Sequence, residues 1–226
     1  MTGAAGQIGT DLVPELRNIY GSENVVATMN RTPLSKENFS GGPTSSLDVT
    51  NYEAVTSLLR IEKIDKVFHL SSVLSALAEN NRWSAYAVNL TGLINILEGS
   101  IECGVDQVVV PSSIAAFGSK SPQVDTPNDT IQNPNTIYGV SKVFGEQIGN
   151  YYFERHGLDV RGVRLPGIIS WKTEPTSGTT DYAVAIFYAA LREGFYSCYL
   201  KADTRLPMMY MPDAIKSLLD LSEASS

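Results

Sequence analysis

The sequence predicts an α/β fold built on a doubly wound parallel sheet, followed by a small, truncated C-terminal portion. Short β-branched runs alternate with longer stretches of helical spacing, a pattern typical of βαβ units. Val108, Val109 and Val110 are apolar at consecutive positions, as expected for a strand covered on both faces. A glycine-rich turn at residues 3–9 stands where the first strand of such a sheet meets its first helix.

The remaining elements follow from the same patterns. Strands are expected over residues 24–29, 65–70, 106–111 and 158–165. Helices are expected from the glycine turn to Leu16 and over residues 50–62, 82–103, 136–156, 182–191 and 212–221. Residues 31–46, which contain two prolines and two glycines, are expected to form a surface loop.

Both ends of the chain look shortened for this fold. Only Met1 and Thr2 precede the first glycine, where a strand of about five residues is expected. The last predicted helix runs almost to Ser226. The sequence predicts either a fragment or a naturally short protein and leaves that choice open.

Composition excludes several classes of function. The 226 residues include 17 Lys and Arg against 24 Asp and Glu, a net charge of −7, which disfavours nucleic acid and anionic membranes as partners. No apolar run approaches the roughly 18 residues of a membrane span, and no signal peptide is expected. The 2 cysteines are far apart, and no His, Cys, Asp and Glu residues have the spacing of metal ligands. We therefore expect a cytoplasmic protein with reduced thiols and no metal.

The glycine turn has the spacing G-x-x-G-x-x-G. Gly3 permits a tight strand-to-helix turn, Gly6 lets a pyrophosphate approach bare backbone, and Gly9 lets the helix pack closely on the sheet. The helix N-terminus then offers unpaired N–H groups to phosphates. A glycine-rich turn without a ligand is the alternative. With the later strands, the turn favours a dinucleotide-binding Rossmann fold.

The end of the second strand does not decide between NAD and NADP. An Asp or Glu that binds the adenosine ribose is usual there, but this chain has Met29, Asn30 and Arg31. Asn30 can hydrogen-bond a ribose hydroxyl, and Arg31 can either face a 2′-phosphate or be a solvated loop charge. Asp48 is a candidate for the adenine end, or an N-cap of the next helix.

Tyr138 and Lys142 are four residues apart on a predicted helix and therefore share a face. A tyrosine with pKa of about 10 is a poor base at neutral pH, but a close ammonium, with cofactor charge added, favours the phenolate. Such a phenolate can exchange a proton with a substrate alcohol while hydride passes to a nicotinamide. An ordinary exposed Tyr/Lys pair is the alternative.

Ser112 and Ser113 strengthen the catalytic interpretation. They follow the valine run at the carboxyl end of a buried strand, where open α/β sheets bind their ligands. A hydroxyl there can donate to a substrate oxygen and steady the tyrosine. A turn serine that bonds local backbone is the alternative.

Together these residues resemble the extended short-chain dehydrogenases/reductases, and within them the L-threonine 3-dehydrogenase branch. The resemblance runs through essentially the whole chain. It is carried by the segments Pro111-Ser-Ser-Ile-Ala-Ala-Phe-Gly118, Ile137-Tyr-Gly-Val-Ser-Lys142, Leu165-Pro-Gly-Ile-Ile-Ser170, Gly178-Thr-Thr-Asp-Tyr-Ala183 and Leu206-Pro-Met-Met-Tyr-Met211. The last two are the specific ones, because sugar epimerases of the superfamily do not typically carry them.

The resemblance implies oxidation of the 3-hydroxyl of L-threonine to 2-amino-3-oxobutyrate with NAD. It implies Tyr138 as general base, Lys142 as its partner and the holder of the nicotinamide ribose, and Ser113 as the catalytic hydroxyl. The implied substrate contacts are Ser75, Ser112, Thr179, Thr180 and Asp181, of which Asp181 either meets the ammonium or caps a helix. The implied cofactor contacts are Gly3, Gly6, Gln7, Ile8, Gly9, Asn30, Arg31, Asp48, Val49, Leu70, Ser71, Ser72, Asn89, Tyr138, Lys142 and Leu165.

The resemblance also sets the expected organisation and the alternatives. Residues 1–165 are expected to form the dinucleotide-binding domain, and residues 166–226 a partial substrate-binding region. Relatives of this kind dimerise through the helices of residues 82–103 and 136–156, so a homodimer is expected. Met29 replaces the usual acid, which weakens the NAD preference and leaves NADP open. A nucleotide-sugar epimerase or dehydratase, or a shortened non-catalytic relative, is the alternative function.

Overall fold

The computed structural model describes residues 1–175 and 180–225. The strands are β1 (Ala27–Met29), β2 (Thr44–Ser46), β3 (Lys66–Phe68), β4 (Gln107–Val109), β5 (Ser112–Ser113), β6 (Asp159–Arg161), β7 (Arg164–Leu165), β8 (Gly167–Ile169) and β9 (Met208–Tyr210). The helices are α1 (Gln7–Tyr20), α2 (Lys36–Ser40), α3 (Tyr52–Ile61), α4 (Ser75–Asn80), α5 (Arg82–Ala85), α6 (Gly92–Cys103), α7 (Ile137–His156), α8 (Tyr182–Glu193) and α9 (Met211–Glu223).

The strands of the described chain pair in parallel throughout: β1 with β2, β3 with β4, β4 with β6, β5 with β7, and β8 with β9. Met1 and Thr2 lie between β1 and β3 and connect the β1–β2 pair to the β3–β4–β6 sheet. The amide of Thr28 donates to Met1 O at 3.0 Å, and the amide of Thr2 donates to Phe68 O at 2.9 Å. The strand order is therefore β2, β1, residues 1–2, β3, β4, β6, which is that of a doubly wound sheet.

Helices cover both faces of this sheet. Val67 and Val108 pack in a core cluster with residues of α3, α6 and α7. Phe68 and Val109, the next residue on each strand, pack in a second cluster with residues of α1 and α9. Because neighbouring strand residues point to opposite faces, two separate cores require a sheet buried on both sides. The predicted α/β fold is confirmed.

The predicted surface loop over residues 31–46 is wrong, because this segment contains α2 and β2. Ser35 caps α2 by accepting from the amide of Asn38 at 3.2 Å. Asn38 is buried: its Nδ2 donates to Thr10 O at 3.1 Å, and its carbonyl accepts from Arg17 at 2.7 Å. The prolines and glycines bound these short elements rather than excluding them, and contacts with α1 fix the segment.

Other predicted elements are confirmed with changed bounds. Helix 50–62 is α3, and helix 136–156 is α7, whose cap Thr136 accepts from the amide of Gly139 at 3.0 Å. Helix 82–103 is interrupted by a π-helical turn, Tyr86–Thr91, at which Asn89 is buried. Strand 158–165 is divided into β6 and β7. Within residues 1–175 and 180–225, none of the helices combines the length and apolarity needed to cross a bilayer.

Candidate active site

At the glycine turn, the backbone at Gly3 lies directly between the backbone at Leu70 and the first turn of α1 at Gly9. Gly3 has φ of +68°, the left-handed region that favours glycine. A Cβ on Gly3 would lie 2.6 Å from the carbonyl carbon of Leu70, and a Cβ on Gly9 would lie 2.2 Å from Gly3 O. Both distances are too short for any side chain. Glycine at these two positions is what lets α1 begin directly against the end of β3.

The first turn of α1 is open to an anion. The helix begins at Gln7, its N-cap Gly6 supplies no side-chain cap, and its first turn carries no acidic residue. The free N–H groups and the positive end of the helix dipole therefore suit the pyrophosphate of a dinucleotide. Gln7 Nε2 donates to Ser170 Oγ at 3.0 Å and links the turn to the segment after β8.

A cleft of about 390 Å³ extends from the glycine turn across the carboxyl ends of the strands. Of the predicted cofactor and substrate residues, those that line it are Gly3, Gly6, Gln7, Ile8, Gly9, Leu70, Ser72, Ser75, Ser112, Ser113, Tyr138, Lys142, Leu165, Thr180 and Asp181. This is the position at which open α/β sheets bind their ligands.

Tyr138, Lys142 and Ser113 meet at the centre of this cleft. Ser113, at the end of β5, accepts from the amide of Ala115 at 3.1 Å, as a turn serine does, and its hydroxyl also faces the phenol of Tyr138 in the first turn of α7. Lys142, one turn further, places Nζ 5.3 Å from the centroid of the Tyr138 ring and donates to Pro111 O at 2.7 Å. The strand end and the helix thus bring a phenol, an amine and a hydroxyl into one space.

Without a cofactor, burial favours the neutral forms of both groups at this centre. Burial raises the pKa of Tyr138 to about 12, against an opposing hydrogen bond from Ser113. Burial also lowers the pKa of Lys142 to about 8, against the opposing charge of Glu146. In the protein alone, therefore, loss of hydration outweighs any favourable effect of the lysine on the phenolate. That the lysine and the charge of a bound cofactor together favour the phenolate stays a prediction.

His69 is a buried, neutral histidine beside the same cleft. Its Nδ1 lies 2.8 Å from Thr2 Oγ1. Burial, with the charge of Lys142, lowers its pKa to about 3. An unfolded histidine titrates near pH 6.5, so the unfolded chain binds the extra proton below that pH.

We expect the titration of His69 to lower the free energy of unfolding of the ligand-free protein by about 2 kcal/mol between pH 6.5 and pH 4.5. The stability contributed by neutral His69 is fully present above pH 6.5 and is lost as the pH drops towards 3. Urea unfolding at several pH values measures this slope. His69→Gln is the control: the slope should be smaller in the variant by the contribution of His69, and an unchanged slope would contradict the assignment.

The residues predicted for the adenosine end lie together outside the walls of the cleft. Asp48 accepts from the amide and hydroxyl of Thr50 at 2.9 and 2.8 Å, and its pKa is lowered by these bonds and by Arg31 and Asn30. Asp48 is therefore a turn residue, and Asn51 is the N-cap of α3. The structure thus brings an acid next to Asn30 and Arg31, although none stands at position 29.

Several predicted cofactor residues are held by the protein itself. Asn89 accepts from the amide of Val73 at 2.7 Å and donates to Val73 O at 3.0 Å and to Ser141 Oγ at 3.2 Å. Ser71 lines a second cavity, described below, and Val49 is buried. Through these hydrogen bonds, Asn89 holds the segment that follows β3 in position.

The predicted substrate residues approach the cleft from three elements. Ser75 begins α4, and Asp181 occupies the N-cap position of α8 without a side-chain capping bond. Ser112 is buried, and its hydroxyl donates to Glu146 at 2.5 Å. Thr180 lines the cleft beside Asp181. Thr179 lies outside the described residues.

A family model described as "NAD dependent epimerase/dehydratase family" matches residues 1–221. The chain belongs to this family. The resemblance to L-threonine 3-dehydrogenases of the extended short-chain group is also confirmed, and NAD is the cofactor. The glycine turn, in which Gly3 and Gly9 have no room for a Cβ and α1 begins without an acidic residue, forms a cradle that fits the pyrophosphate of that cofactor.

Three relatives illustrate the similarity. An uncharacterized epimerase/dehydratase of Staphylococcus haemolyticus is 48% identical over 226 residues, covering 100% of this chain and 71% of the relative. The holo form of the GalE-like L-threonine dehydrogenase of Cupriavidus necator is 42% identical with a TM-score of 0.95, covering 100% of this chain and 72% of that one. A monomeric L-threonine 3-dehydrogenase from a metagenome, in apo form, is 42% identical with a TM-score of 0.93, covering 99% and 71%.

An ion pair that was not predicted from the sequence lies one helical turn from Lys142. Glu146 on α7 pairs with Arg164 on β7 at 2.7 Å, and Gln132 donates to the same carboxylate at 2.6 Å. The sequence places Glu146 one helical turn after Lys142, but this spacing does not indicate the pairing with Arg164. Among the described residues, no group of three or more His, Cys, Asp and Glu side chains is arranged to hold a metal ion.

Proposed function

We propose that this NAD-dependent oxidoreductase oxidises the 3-hydroxyl of L-threonine to 2-amino-3-oxobutyrate. The observation that carries the proposal is the convergence of Tyr138, Ser113 and Lys142 beside the glycine cradle. The support for this substrate is the likeness to solved L-threonine dehydrogenases at 42% identity.

The chain's own residues supply proton transfer and positioning. Tyr138, as the phenolate, takes the hydroxyl proton and becomes the neutral phenol as the O–H and C3–H bonds break and the C=O bond forms. Ser113 donates a hydrogen bond to the substrate oxygen and keeps the phenol in place. Lys142 would hold the nicotinamide ribose, and its ammonium, together with the charge of the bound cofactor, favours the phenolate form of Tyr138 before the proton is taken. Bound NAD supplies the acceptor for the hydride that leaves C3.

Asp181 is proposed to bind the substrate ammonium, with Thr180 and Ser75 at the other polar groups. Asp181→Asn is expected to raise KM for L-threonine about tenfold or more with little change in kcat, because a hydrogen bond to a charged group is lost. Steady-state kinetics measures the split. 3-Hydroxybutyrate, which lacks the ammonium, is the control substrate, and its kinetics should not change. Equal effects on both substrates would contradict this role.

The proposal is tested by following NADH absorbance when the protein is given NAD and L-threonine. We expect NADH formation with L-threonine and no conversion of UDP-glucose. Conversion of the nucleotide sugar without oxidation of threonine would favour an epimerase. Calorimetry that detects binding of neither NAD nor NADP would favour a non-catalytic relative.

A homodimer in the cytoplasm is part of the same proposal. Both cysteines are free, and large apolar side chains are exposed on the helices expected at the interface, including Trp83 at 82% and Val140 at 49% exposure. We expect a dimer in sedimentation velocity and a monomer for Trp83→Arg. A monomeric wild-type protein would contradict the dimer.

A further inference from the structure

The carboxylate of Glu146 accepts four hydrogen bonds and lies next to the proposed catalytic centre. Arg164 donates through Nε to Oε1 at 2.8 Å and through a terminal nitrogen to Oε2 at 2.7 Å. Ser112 donates to Oε1 at 2.5 Å, and Gln132 donates to Oε2 at 2.6 Å. Four donors from β5, β7 and the segment before α7 therefore fix one side chain of α7.

This carboxylate is charged. Burial alone favours its protonated form, but the bonds from Arg164, Ser112 and Gln132 and the charge of Arg164 hold the pKa of Glu146 below its ordinary value. A two-bond contact with a guanidinium is a strong and directional form of ion pair. The negative charge is thus held at a fixed position one helical turn from Lys142.

Lys142 and Glu146 also line a second cavity, of about 460 Å³, which shares His69, Ser72, Pro111, Ser112 and Lys142 with the cofactor cleft. Its other charged or titratable lining residues in the described chain are Arg161 and Arg164, and Arg161 is paired with Asp159 at 2.7 Å. Glu146 is the one acidic residue of that lining.

The groups that face Lys142 leave Glu146 as the source of negative charge. His69 stays neutral above a pKa of about 3, and Tyr138 stays neutral below a pKa of about 12. Burial lowers the pKa of Lys142 to about 8, and the charge of Glu146 acts in the opposite direction. Between these limits, the charge of Glu146 favours the ammonium form of Lys142.

We propose that Glu146 is a positioning residue for this reaction: its charge keeps Lys142 as an ammonium, and its bond to Ser112 ties the catalytic helix to the strand end that carries Ser113. This role rests on the proposed function, because Glu146 acts through Lys142, whose part in the reaction belongs to that proposal. It makes the ion pair part of the catalytic apparatus rather than only a link between α7 and β7.

The titration of Lys142 tests the role without substrate. Acetic anhydride acylates only neutral amines, so the rate of acylation of Lys142 against pH, read by peptide mass spectrometry, reports its charge. We expect a midpoint near pH 8 in the ligand-free protein. Glu146→Gln should move the midpoint to lower pH by about one pH unit. Glu154→Gln, an exposed site on the same helix, should leave it unchanged.

Arg164→Gln separates charge from structure. It breaks the same ion pair but leaves the Glu146 carboxylate, so the midpoint of Lys142 should rise or stay constant. A midpoint that falls equally in Glu146→Gln and Arg164→Gln would assign Glu146 a structural role only. An unchanged midpoint in Glu146→Gln would overturn the proposal as well.

The pH dependence of kcat for L-threonine gives the second readout. The fall in kcat at alkaline pH, where Lys142 loses its proton, should begin at lower pH in Glu146→Gln and be restored in Glu146→Asp. If kcat begins to fall at the same alkaline pH in Glu146→Gln as in the wild type, the proposal is contradicted. If the wild-type protein does not oxidise threonine, the proposed function fails, while the acylation titration still decides the role of Glu146.

Discussion

Replacing Tyr138 by phenylalanine is expected to lower kcat for L-threonine oxidation about 10³-fold. Proton transfer by a positioned side chain typically contributes about 10²- to 10⁴-fold, and this change removes only the oxygen that transfers the proton. The ring remains, so the dissociation constant for NAD should stay within about threefold. Stopped-flow absorbance of NADH gives the rate, and calorimetry gives the affinity.

Tyr151→Phe is the matched control for that experiment. Tyr151 lies on the same helix α7 and is 51% exposed, and its substitution by phenylalanine removes the same phenol oxygen. Its kcat should equal that of the wild type. A Tyr138→Phe enzyme that retained more than about a tenth of the wild-type kcat would remove Tyr138 from the role of general base.

The second large effect is expected for Gly9→Ala. The added Cβ would lie 2.2 Å from Gly3 O and 2.7 Å from Ala4 Cα, and both are backbone atoms that cannot move aside without deforming the turn. We expect a loss of at least about 2 kcal/mol in the free energy of unfolding. We also expect at least a 100-fold loss of NAD affinity, because the first turn of α1 no longer faces the phosphates in the same way.

Two further glycine variants serve as controls. A Cβ on Gly145 of α7 would lie 3.4 Å from Leu93 Cδ2, an ordinary contact, so Gly145→Ala should keep both stability and NAD affinity. A Cβ on Gly6 would lie 3.3 Å from Gly3 O, so Gly6→Ala should weaken NAD binding more than it lowers stability. Wild-type affinity in Gly9→Ala would contradict the assignment of the turn as the cofactor cradle.

The parts of the site predicted from the sequence are those set by local spacing. Gly3 and Gly9 follow a fixed spacing that only a tight turn explains, and the structure gives them the predicted turn. Tyr138 and Lys142 share a helix face by their separation, and the structure places both in the cleft. The buried valine run likewise predicted Ser113 at a strand end.

The parts that were not predicted depend on contacts distant in sequence. The pairing of Glu146 with Arg164 joins a helix to a strand that follows it, and a spacing rule within one helix does not show it. The raised pKa of Tyr138 depends on burial, which only the folded chain determines. Residues 31–46 carried turn-forming residues, but the buried Asn38 held them in regular structure on α1.

The central claim is that hydride leaves C3 of L-threonine while Tyr138 takes the hydroxyl proton. Mass spectrometry of the NADH formed from L-threonine deuterated at C3 tests it most directly. We expect each NADH to carry one deuterium and Tyr138→Phe to form almost no NADH. NADH without deuterium, or no NADH from threonine at all, would contradict this mechanism.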